Sequence, residues 1–385
     1  MDQFSFNTAA SILFGVGAVA DLTAAFKLNS GSKVFVVTDP GIVGANLLGK
    51  LLAPLQAAGI APVVYDKVMA DPPERIVLEA AELARSRGVN AVIGVGGGSS
   101  LDVAKLVALL AKGNERIQNI YGVNNVKGER LRLALVPTTS GTGSEVTPIA
   151  VVTTGTAEKK GVVSSVLLPD LALLDPELTL SLPPSVTAAT GVDAMVHAIE
   201  AYTSINPNNN PLSKILALRA LSLLADAIRT AVENGRDPVA RGHMLLGSML
   251  AGQAFANSPV AAVHALAYPL GGYYHLPHGI TNALVLPHVL RFNLEACGDA
   301  YAELATAAFP HLAERPLDER ASAFISELVS LTKEVAVAQR LRDVGVERSQ
   351  LPTLAEDAMK QTRLLVNNPK PLTVADALRI YEAAW

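Results

Sequence analysis

Cysteine, charge and long apolar runs are all scarce in this chain of 385 residues. Cys297 is the one cysteine, so an internal disulfide framework is excluded, and the low cysteine usage fits a reducing compartment. Only 17% of the residues are charged and the formal net charge is −4, which gives no electrostatic reason to expect nucleic acid or an anionic membrane as a partner. No uninterrupted apolar run approaches the roughly 18 residues of a membrane span, and the opening residues MDQFSFNTAA lack the basic and apolar regions of a signal peptide. These deficits predict a soluble, cytoplasmic protein.

Apolar residues make up 50% of the sequence, and the chain is long enough for two domains. The first half alternates strand-like runs at 33–39, 61–66, 90–100 and 131–143 with helix-like runs at 43–59, 73–88 and 101–112. After about residue 182 the helical spacing takes over, and two prolines in SLPPS mark the change. We predict an α/β nucleotide-binding domain, 1–182, with a parallel, Rossmann-like sheet, and an all-α domain, 183–385.

A glycine-rich stretch, GVGGGSSLDVAK at 94–105, leaves a predicted strand and enters a predicted helix. Glycines let a backbone approach a phosphate closely, and a helix N-terminus supplies free N–H groups. The spacing departs from G-x-G-x-x-G, because Ser99 takes the last glycine's place, and no P-loop lysine follows. The stretch therefore fits a ligand loop or a tight structural turn. In either case we expect Ser99 and Asp102 to form a capping box.

A second polar loop, PTTSGTGSE at 137–145, also follows a strand, and Asp39 ends the first strong strand. Ligands of open α/β sheets bind beyond the carboxyl ends of the strands, so two donor-rich loops there favour a nucleotide site. Asp39 before Pro-Gly is an ordinary turn starter. As a ligand contact, its carboxylate would accept hydrogen bonds from ribose hydroxyls and repel a 2′-phosphate, which favours NAD over NADP. The acid precedes the glycine loop here, unlike the Rossmann order.

Seven histidines all lie after residue 190, at positions 197, 243, 264, 275, 278, 288 and 311. Asp193 and His197 are four residues apart in an apolar helical run, so they share one face. With His264 and His278 they make a mixed set of nitrogen and oxygen donors that suits Fe²⁺ or Zn²⁺. The alternative is a set of hydrogen-bonded core residues, and spacing does not choose between the two.

Four motifs, in their order along the chain, resemble those of the iron-dependent, group III alcohol dehydrogenases. They are GGGSSLDVAK, PTTSGTGSEVT, GVDAMVHAIE and HALAYPLGGYYHLPHG. The resemblance runs from FGVG at 14–17 to LPHVLRFN at 286–293. It implies a dehydroquinate synthase-like architecture, NAD in preference to NADP, a divalent metal (Fe²⁺, or Zn²⁺ or another ion) and a homodimer or larger homo-oligomer.

The resemblance also implies roles for individual residues. The family's metal ligands match Asp193, His197, His264 and His278. Its pyrophosphate loop matches Gly96, Gly97, Gly98 and Ser99, its nicotinamide-side loop matches Thr138, Thr139 and Thr142, and its ribose acid matches Asp39. We expect Asp102 to face the cofactor as well, and the predicted catalytic residues are Asp102, Tyr268 and His278.

One position departs from the family pattern. Many members carry a second histidine four residues after the third ligand, as a proton relay, whereas this chain has Tyr268. A tyrosine hydroxyl can pass a proton, but its ordinary pKa of about 10 makes it a poorer relay at neutral pH. The Tyr-Pro pair resembles the hydroxyacid–oxoacid transhydrogenase branch of the family. His275 receives no role and is expected at the rim or surface.

The main functional prediction is metal-assisted hydride transfer between a small alcohol and NAD, or the reverse with an aldehyde or ketone. Residues 191–203 and 260–282 contain no lysine or arginine, which favours an uncharged substrate. The alternatives are a hydroxyacid–oxoacid transhydrogenase, a non-redox lyase resembling dehydroquinate synthase, and a nucleotide-binding protein with a degenerate metal site.

Overall fold

A computed structural model describes residues 3–155 and 158–385 of the chain. They divide into two compact units: Asn7–Ser181, and Leu182–Trp385 together with the N-terminal residues up to Phe6. The predicted alternation of strands and helices in the first half is confirmed, and so is the helical second half.

The described residues of the first unit form nine strands. They are β1 (Ile12–Phe14), β2 (Val34–Val37), β3 (Val63–Tyr65), β4 (Ala91–Gly96), β5 (Gly122–Val123), β6 (Arg132–Pro137), β7 (Ile149–Thr154), β8 (Glu158–Val163) and β9 (Leu171–Leu174). Its helices are α1 (Leu22–Ala25), α2 (Pro40–Gly44), α3 (Leu48–Ala57), α4 (Glu74–Ser86), α5 (Gly98–Lys112) and α6 (Ile117–Ile120).

The second unit is helical throughout its described residues. Its helices are α7 (Pro184–Thr203), α8 (Pro211–Glu233), α9 (Pro238–Asn257), α10 (Ala262–Tyr274), α11 (His278–Ala308), α12 (Leu317–Glu334), α13 (Leu351–Ala358), α14 (Thr362–Leu365) and α15 (Val374–Ala384). Short 3-10 turns lie at Ala18–Asp21, Ser144–Val146, Ser165–Leu167, Pro176–Thr179, Pro310–Glu314, Leu341–Val344 and Arg348–Gln350.

The main sheet has six strands in the order β1-β9-β6-β4-β2-β3, and all neighbours are parallel. Its strands are apolar at consecutive positions because helices cover both faces. In β2, Phe35 and Val37 pack in the core with α4 and α5, while Val34 and Val36 pack in the core with α3. This alternation explains why an uninterrupted run, VFVV, forms a strand.

The register places the ends of β4 and β6 side by side. Gly96 pairs with Pro137, so the glycine-rich loop and the polar loop at 137–145, here called the threonine-rich loop, leave the same edge of the sheet. A second sheet, in the order β5-β8-β7, was not predicted. In this sheet β7 and β8 are antiparallel, and the polar sequence EKKGVV of β8 gave little strand signal.

Helix α7 is apolar around nearly its whole circumference and is accordingly buried. Gly279, in the first turn of α11, allows that helix to approach the backbone of α7. A Cβ atom at this position would lie 2.1 Å from the carbonyl oxygen of Ala189.

Among the described residues, no helix is both long enough and apolar enough to cross a membrane.

The close approach at Gly279 predicts different outcomes for two glycine substitutions in the same helix. Gly279→Ala forces a methyl group against backbone, and we expect it to destabilise the protein by about 1–3 kcal/mol or more. Gly298→Ala meets nothing within 4 Å and should stabilise by up to about 1 kcal/mol through helix propensity. Urea unfolding of both variants measures the difference. Equal stabilities for the two would contradict the proposed packing.

Candidate metal centre and nucleotide loop

Three of the four predicted metal ligands converge in the second unit. Asp193 comes from α7, His264 from the first turn of α10 and His278 from the first residue of α11. Each offers one donor atom, and these atoms all lie within 4.8 Å of one another. Asp193 and His264 are each only 2% exposed, while His278 is half-buried.

The fourth predicted ligand, His197, lies beside this group rather than in it. Among the described residues, the group of mutually close donor atoms has three members, and His197 is outside it. Its ring stacks on that of His264, with 4.7 Å between the centroids, and on Phe255, with 4.4 Å. The helical spacing therefore predicted the correct face for His197, while its role as a ligand stays a prediction.

Charge and burial set the protonation of the group. Burial alone would raise the pKa of Asp193, but His197, His278 and His264 together with a hydrogen bond from Asn282 lower it overall. Burial, aided by the neighbouring histidines, holds the pKa of His264 well below its ordinary value. An ionised carboxylate and a neutral imidazole are the forms that bind a metal ion.

Asn282 was missed from sequence and lies at the centre of the three donors. Its Nδ2 donates to Asp193 Oδ1 at 2.6 Å and lies 3.2 Å from Nε2 of both His264 and His278. Its Oδ1 is buried and has no hydrogen-bond partner among the described residues. An orphaned buried oxygen beside a carboxylate and two imidazoles is a donor set that fits a divalent transition metal.

The role of Glu200 was also missed, although it is the last residue of the motif GVDAMVHAIE. Its two carboxylate oxygens contact Val263 and His264 at the start of α10. Burial raises its pKa to about 7, against several hydrogen bonds and His197 that lower it. A carboxylic acid inside an otherwise apolar helix was the available signal.

Tyr268 and His275, both in the histidine-rich segment, differ in their surroundings. Tyr268 lies one turn beyond His264 on α10, and its ring centroid is 5.8 Å from that of His278. His275 is exposed, as expected, and ends α10 in the left-handed conformation with φ +53°.

In the first unit, the glycine-rich loop joins β4 to α5. Gly96 has φ +141°, and a Cβ atom there would lie 2.8 Å from Asp39 Oδ2, so the backbone requires glycine. A Cβ atom at Gly98 would lie 2.8 Å from the Thr142 side chain. The loop thus serves as a tight structural turn, and it also borders a cavity.

That cavity has a volume of about 450 Å³ and is lined by Asp39, Pro40, Val68, Met69, Ala70, Gly97, Gly98, Ser99 and Ser100. Thr139 and Thr142 approach the same glycines from the neighbouring loop. Thr138 is buried and donates its N–H to Gly96 O at 3.0 Å, so it holds the two loops together.

Asp39 caps a helix and lines the cavity, while its contact with a ribose stays a prediction. Its Oδ1 accepts the N–H groups of Gly41 and Ile42 at 2.9 and 3.1 Å, which caps α2, and its Oδ2 accepts the Ser100 hydroxyl at 2.9 Å. The carboxylate also lines the cavity.

The predicted capping box of Ser99 and Asp102 is wrong. Gly97 is the N-cap of α5, and no side chain caps this helix. Asp102 instead accepts the Ser144 hydroxyl at 2.6 Å and the Val151 N–H at 2.9 Å, because it lies far enough along α5 to reach β7. Its contact with a cofactor stays a prediction.

Lys105, about two turns along α5 from the glycine-rich loop, is fully buried. Its ammonium donates to Ser144 Oγ at 2.7 Å, Thr147 Oγ1 at 3.2 Å and Ile149 O at 2.6 Å, and lies 3.5 Å from Asp102 Oδ1. Burial lowers its pKa, while Asp102 opposes that shift. These bonds tie the threonine-rich loop to α5.

Comparison with known proteins agrees with this geometry. The profile described as "Iron-containing alcohol dehydrogenase" matches residues 9–176, and the profile described as "Fe-containing alcohol dehydrogenase family, C-terminal" matches residues 187–385. Long-chain-alcohol dehydrogenase 1 of Geobacillus thermodenitrificans is 41% identical over 374 residues, covering 96% of this chain and 94% of that protein. The chain belongs to the iron-containing alcohol dehydrogenase family.

Solved structures show the same fold. A crystal structure of 1,3-propanediol oxidoreductase has a TM-score of 0.95 at 33% identity and covers 100% of both chains. Sulfoacetaldehyde reductase from Bifidobacterium kashiwanohense, in complex with NAD⁺, has a TM-score of 0.88 at 26% identity and covers 100% of this chain and 99% of that one.

As a member of the iron-containing alcohol dehydrogenase family, the chain is an oxidoreductase. The predicted family and fold class are confirmed, and so is the predicted oxidoreductase function on an alcohol or aldehyde. The transhydrogenase and lyase alternatives are not favoured by the relatives.

Glu145, in the loop that Lys105 holds, predicts a pH effect on stability. It is 2% exposed, and burial raises its pKa from 4.5 to about 7 despite a backbone hydrogen bond and Lys105, which lower it. The folded state therefore binds the proton more tightly than the unfolded state. Its contribution to stability is complete below pH 4.5 and is lost as the pH rises through about 7.

We expect Glu145→Gln to remove this pH dependence, which amounts to roughly 3 kcal/mol at most. Thermal unfolding at about pH 5 and about pH 8 should show a smaller drop in the variant than in the wild type. Glu129→Gln changes an exposed carboxylate in the same unit and should keep the wild-type drop. An unchanged drop in Glu145→Gln would show that this carboxyl group is not the source.

Proposed function

We propose that the chain is an NAD(H)-dependent dehydrogenase that interconverts a small, uncharged alcohol and its aldehyde with the help of a divalent metal, Fe²⁺ in the first place. The observation that carries this proposal is the convergence of Asp193, His264 and His278 donor atoms within 4.8 Å. The family is named for iron. Zn²⁺ and other divalent ions suit the same mixed donor set.

The residues of the metal centre supply ligands in a fixed protonation state. A bound divalent metal supplies Lewis acidity, which lowers the pKa of an alcohol, and a nicotinamide accepts the hydride. Asp193 as a carboxylate and His264 as a neutral imidazole would hold the ion with His278, and His197 would complete the set. Burial of Asp193 and His264 keeps water away from two of the ligands.

Tyr268 is the group that we propose for the alcohol's proton. Its ring lies 5.8 Å from that of His278, so its phenol belongs to the same small region as the metal ligands. A tyrosine hydroxyl in this region could pass a proton directly or through one water molecule.

The glycine-rich loop and Asp39 are the proposed NAD site. The first turn of α5 has no side-chain cap, and Gly98, Ser99 and Ser100 of that turn line the cavity, so its free N–H groups suit a pyrophosphate. Asp39 adds a negative charge to the same cavity, which disfavours a 2′-phosphate. A relative of the same fold was solved in complex with NAD⁺.

The proposed substrate is uncharged because the segments that carry the proposed ligands offer no cation of their own. Residues 191–203 and 260–282, which carry all four proposed ligands, contain no lysine or arginine. Phe255, stacked on His197, adds an apolar aromatic surface there.

The decisive test is anaerobic reconstitution with Fe²⁺, followed by NADH formation with NAD⁺ and a panel of short alcohols. Metal-dependent NADH formation is expected in the wild type. In His264→Ala it should fall by at least about 100-fold, since Lewis-acid stabilisation contributes several kcal/mol. His311→Ala removes an exposed histidine of the same unit and should keep the wild-type rate. A rate that does not depend on metal would overturn the proposal.

Asp39 predicts the choice between the two nicotinamide cofactors. Asp39→Asn keeps an N-cap for α2 but removes the charge, so we expect the ratio of kcat/KM with NADP⁺ to that with NAD⁺ to rise by about 10-fold or more. Ser100→Ala removes the hydroxyl that Asp39 accepts without changing the charge, and should leave the ratio near the wild-type value. An unchanged ratio in Asp39→Asn would assign the carboxylate to capping alone.

A further inference from the structure

Glu200 connects α7 to the first turn of α10 through two hydrogen bonds. Its Oε1 accepts the N–H of Val263 at 2.7 Å, and its Oε2 lies 2.5 Å from Nδ1 of His264. Glu200 is 4% exposed, so both contacts lie away from water. A buried carboxylate with two such contacts fixes both the backbone and the ring that follow it.

The contact determines which nitrogen of His264 carries the proton. An ionised Glu200 has only acceptor oxygens, so its contact with His264 requires Nδ1 to be the N–H donor. Nε2 of the neutral ring then carries the lone pair. That nitrogen lies 3.2 Å from Asn282 Nδ2 and belongs to the close group with Asp193 and His278.

We propose that Glu200 is a positioning residue for metal binding, which holds His264 in the Nδ1–H tautomer so that Nε2 is free to bind the ion. The proposal rests on the proposed metal centre. Partners that orient a ligating histidine in this way raise its basicity as well as fixing its ring.

The Glu200→Gln variant distinguishes an effect of the His264 tautomer from an effect of side-chain packing. Glu200→Gln keeps the side-chain shape but has one acceptor oxygen for two donors, Val263 N–H and His264 Nδ1–H. If the oxygen stays with Val263, the amide NH₂ faces Nδ1, and the proton of His264 moves to Nε2, where the metal would bind. If it stays with His264, the Val263 N–H is left unpaired at the start of α10.

The first measurement is the tautomer of His264 in the full chain without metal, read from ¹⁵N chemical shifts of labelled histidine. His264→Ala assigns the signal by its disappearance. The wild type should show the Nδ1–H form, and Glu200→Gln should show a gain of the Nε2–H form. An Nε2–H tautomer in the wild type would overturn the proposal, whether or not any variant folds.

The second measurement is the dissociation constant for Co²⁺, followed by its visible absorption, with Zn²⁺ in competition. Glu200→Gln should weaken binding by roughly 10- to 100-fold and change the Co²⁺ spectrum. Glu327→Gln removes a carboxylate from an exposed histidine pair with His311, 3.0 Å apart, and should bind as the wild type does.

The possible outcomes distinguish a failure of the proposed metal centre from a failure of the proposed role of Glu200. If the wild type binds neither ion, the proposed metal centre fails. If the wild type binds Co²⁺ and Glu200→Gln, folded by circular dichroism, binds it equally well, the role of Glu200 alone is refuted. Affinity lost in both Glu200→Gln and Glu327→Gln would also refute it, because the effect would then not depend on His264.

Discussion

A carboxylate or imidazole inside an apolar helix must find a partner, because burying it unpaired costs several kcal/mol. Helix α7 carries three such groups, Asp193, His197 and Glu200, and all of them are buried. Their spacing of four and three residues places them along one face of the helix. Asp193 and Glu200 find partners near the starts of α10 and α11, and His197 stacks on His264 and on Phe255 of α9. The candidate metal centre is the place where these requirements meet.

The first unit also buries a charged group, but it satisfies that group with several partners. Its buried cation, Lys105, is surrounded by hydroxyl groups, a carbonyl and Asp102 instead of a single counter-ion. The ammonium therefore holds two loops at the carboxyl edge of the sheet. The N-terminus of α5 has no side-chain cap, so its first N–H groups are available to the proposed phosphate.

Periodicity predicted four of the six strands of the main sheet and the helical second half, because both patterns are properties of neighbouring residues. The candidate metal ligands were expected from motifs that resemble those of a known family. The roles of Asn282 and Glu200 were not predicted, because a single amide or carboxylate forms no repeating pattern in the sequence. Its partners depend on which helix ends lie together in the fold. The capping box failed for a related reason, since Asp102 found a longer-range partner in Ser144. The face of His197 could be predicted, but the orientation of its ring depends on Phe255, some 58 residues further along the sequence.

The geometry of the metal donors also depends on a residue without any functional group. Gly279 lets α11 contact the backbone of Ala189, and the residue before it, His278, thereby comes to lie with its Nε2 3.8 Å from Asp193 Oδ1. Metal–ligand bonds tolerate deviations of only about 0.2 Å. A side chain at Gly279 would displace the start of α11 by more than that. The packing that stabilises the second unit and the spacing that a metal ion requires are therefore set by the same contact, and neither can be changed without the other.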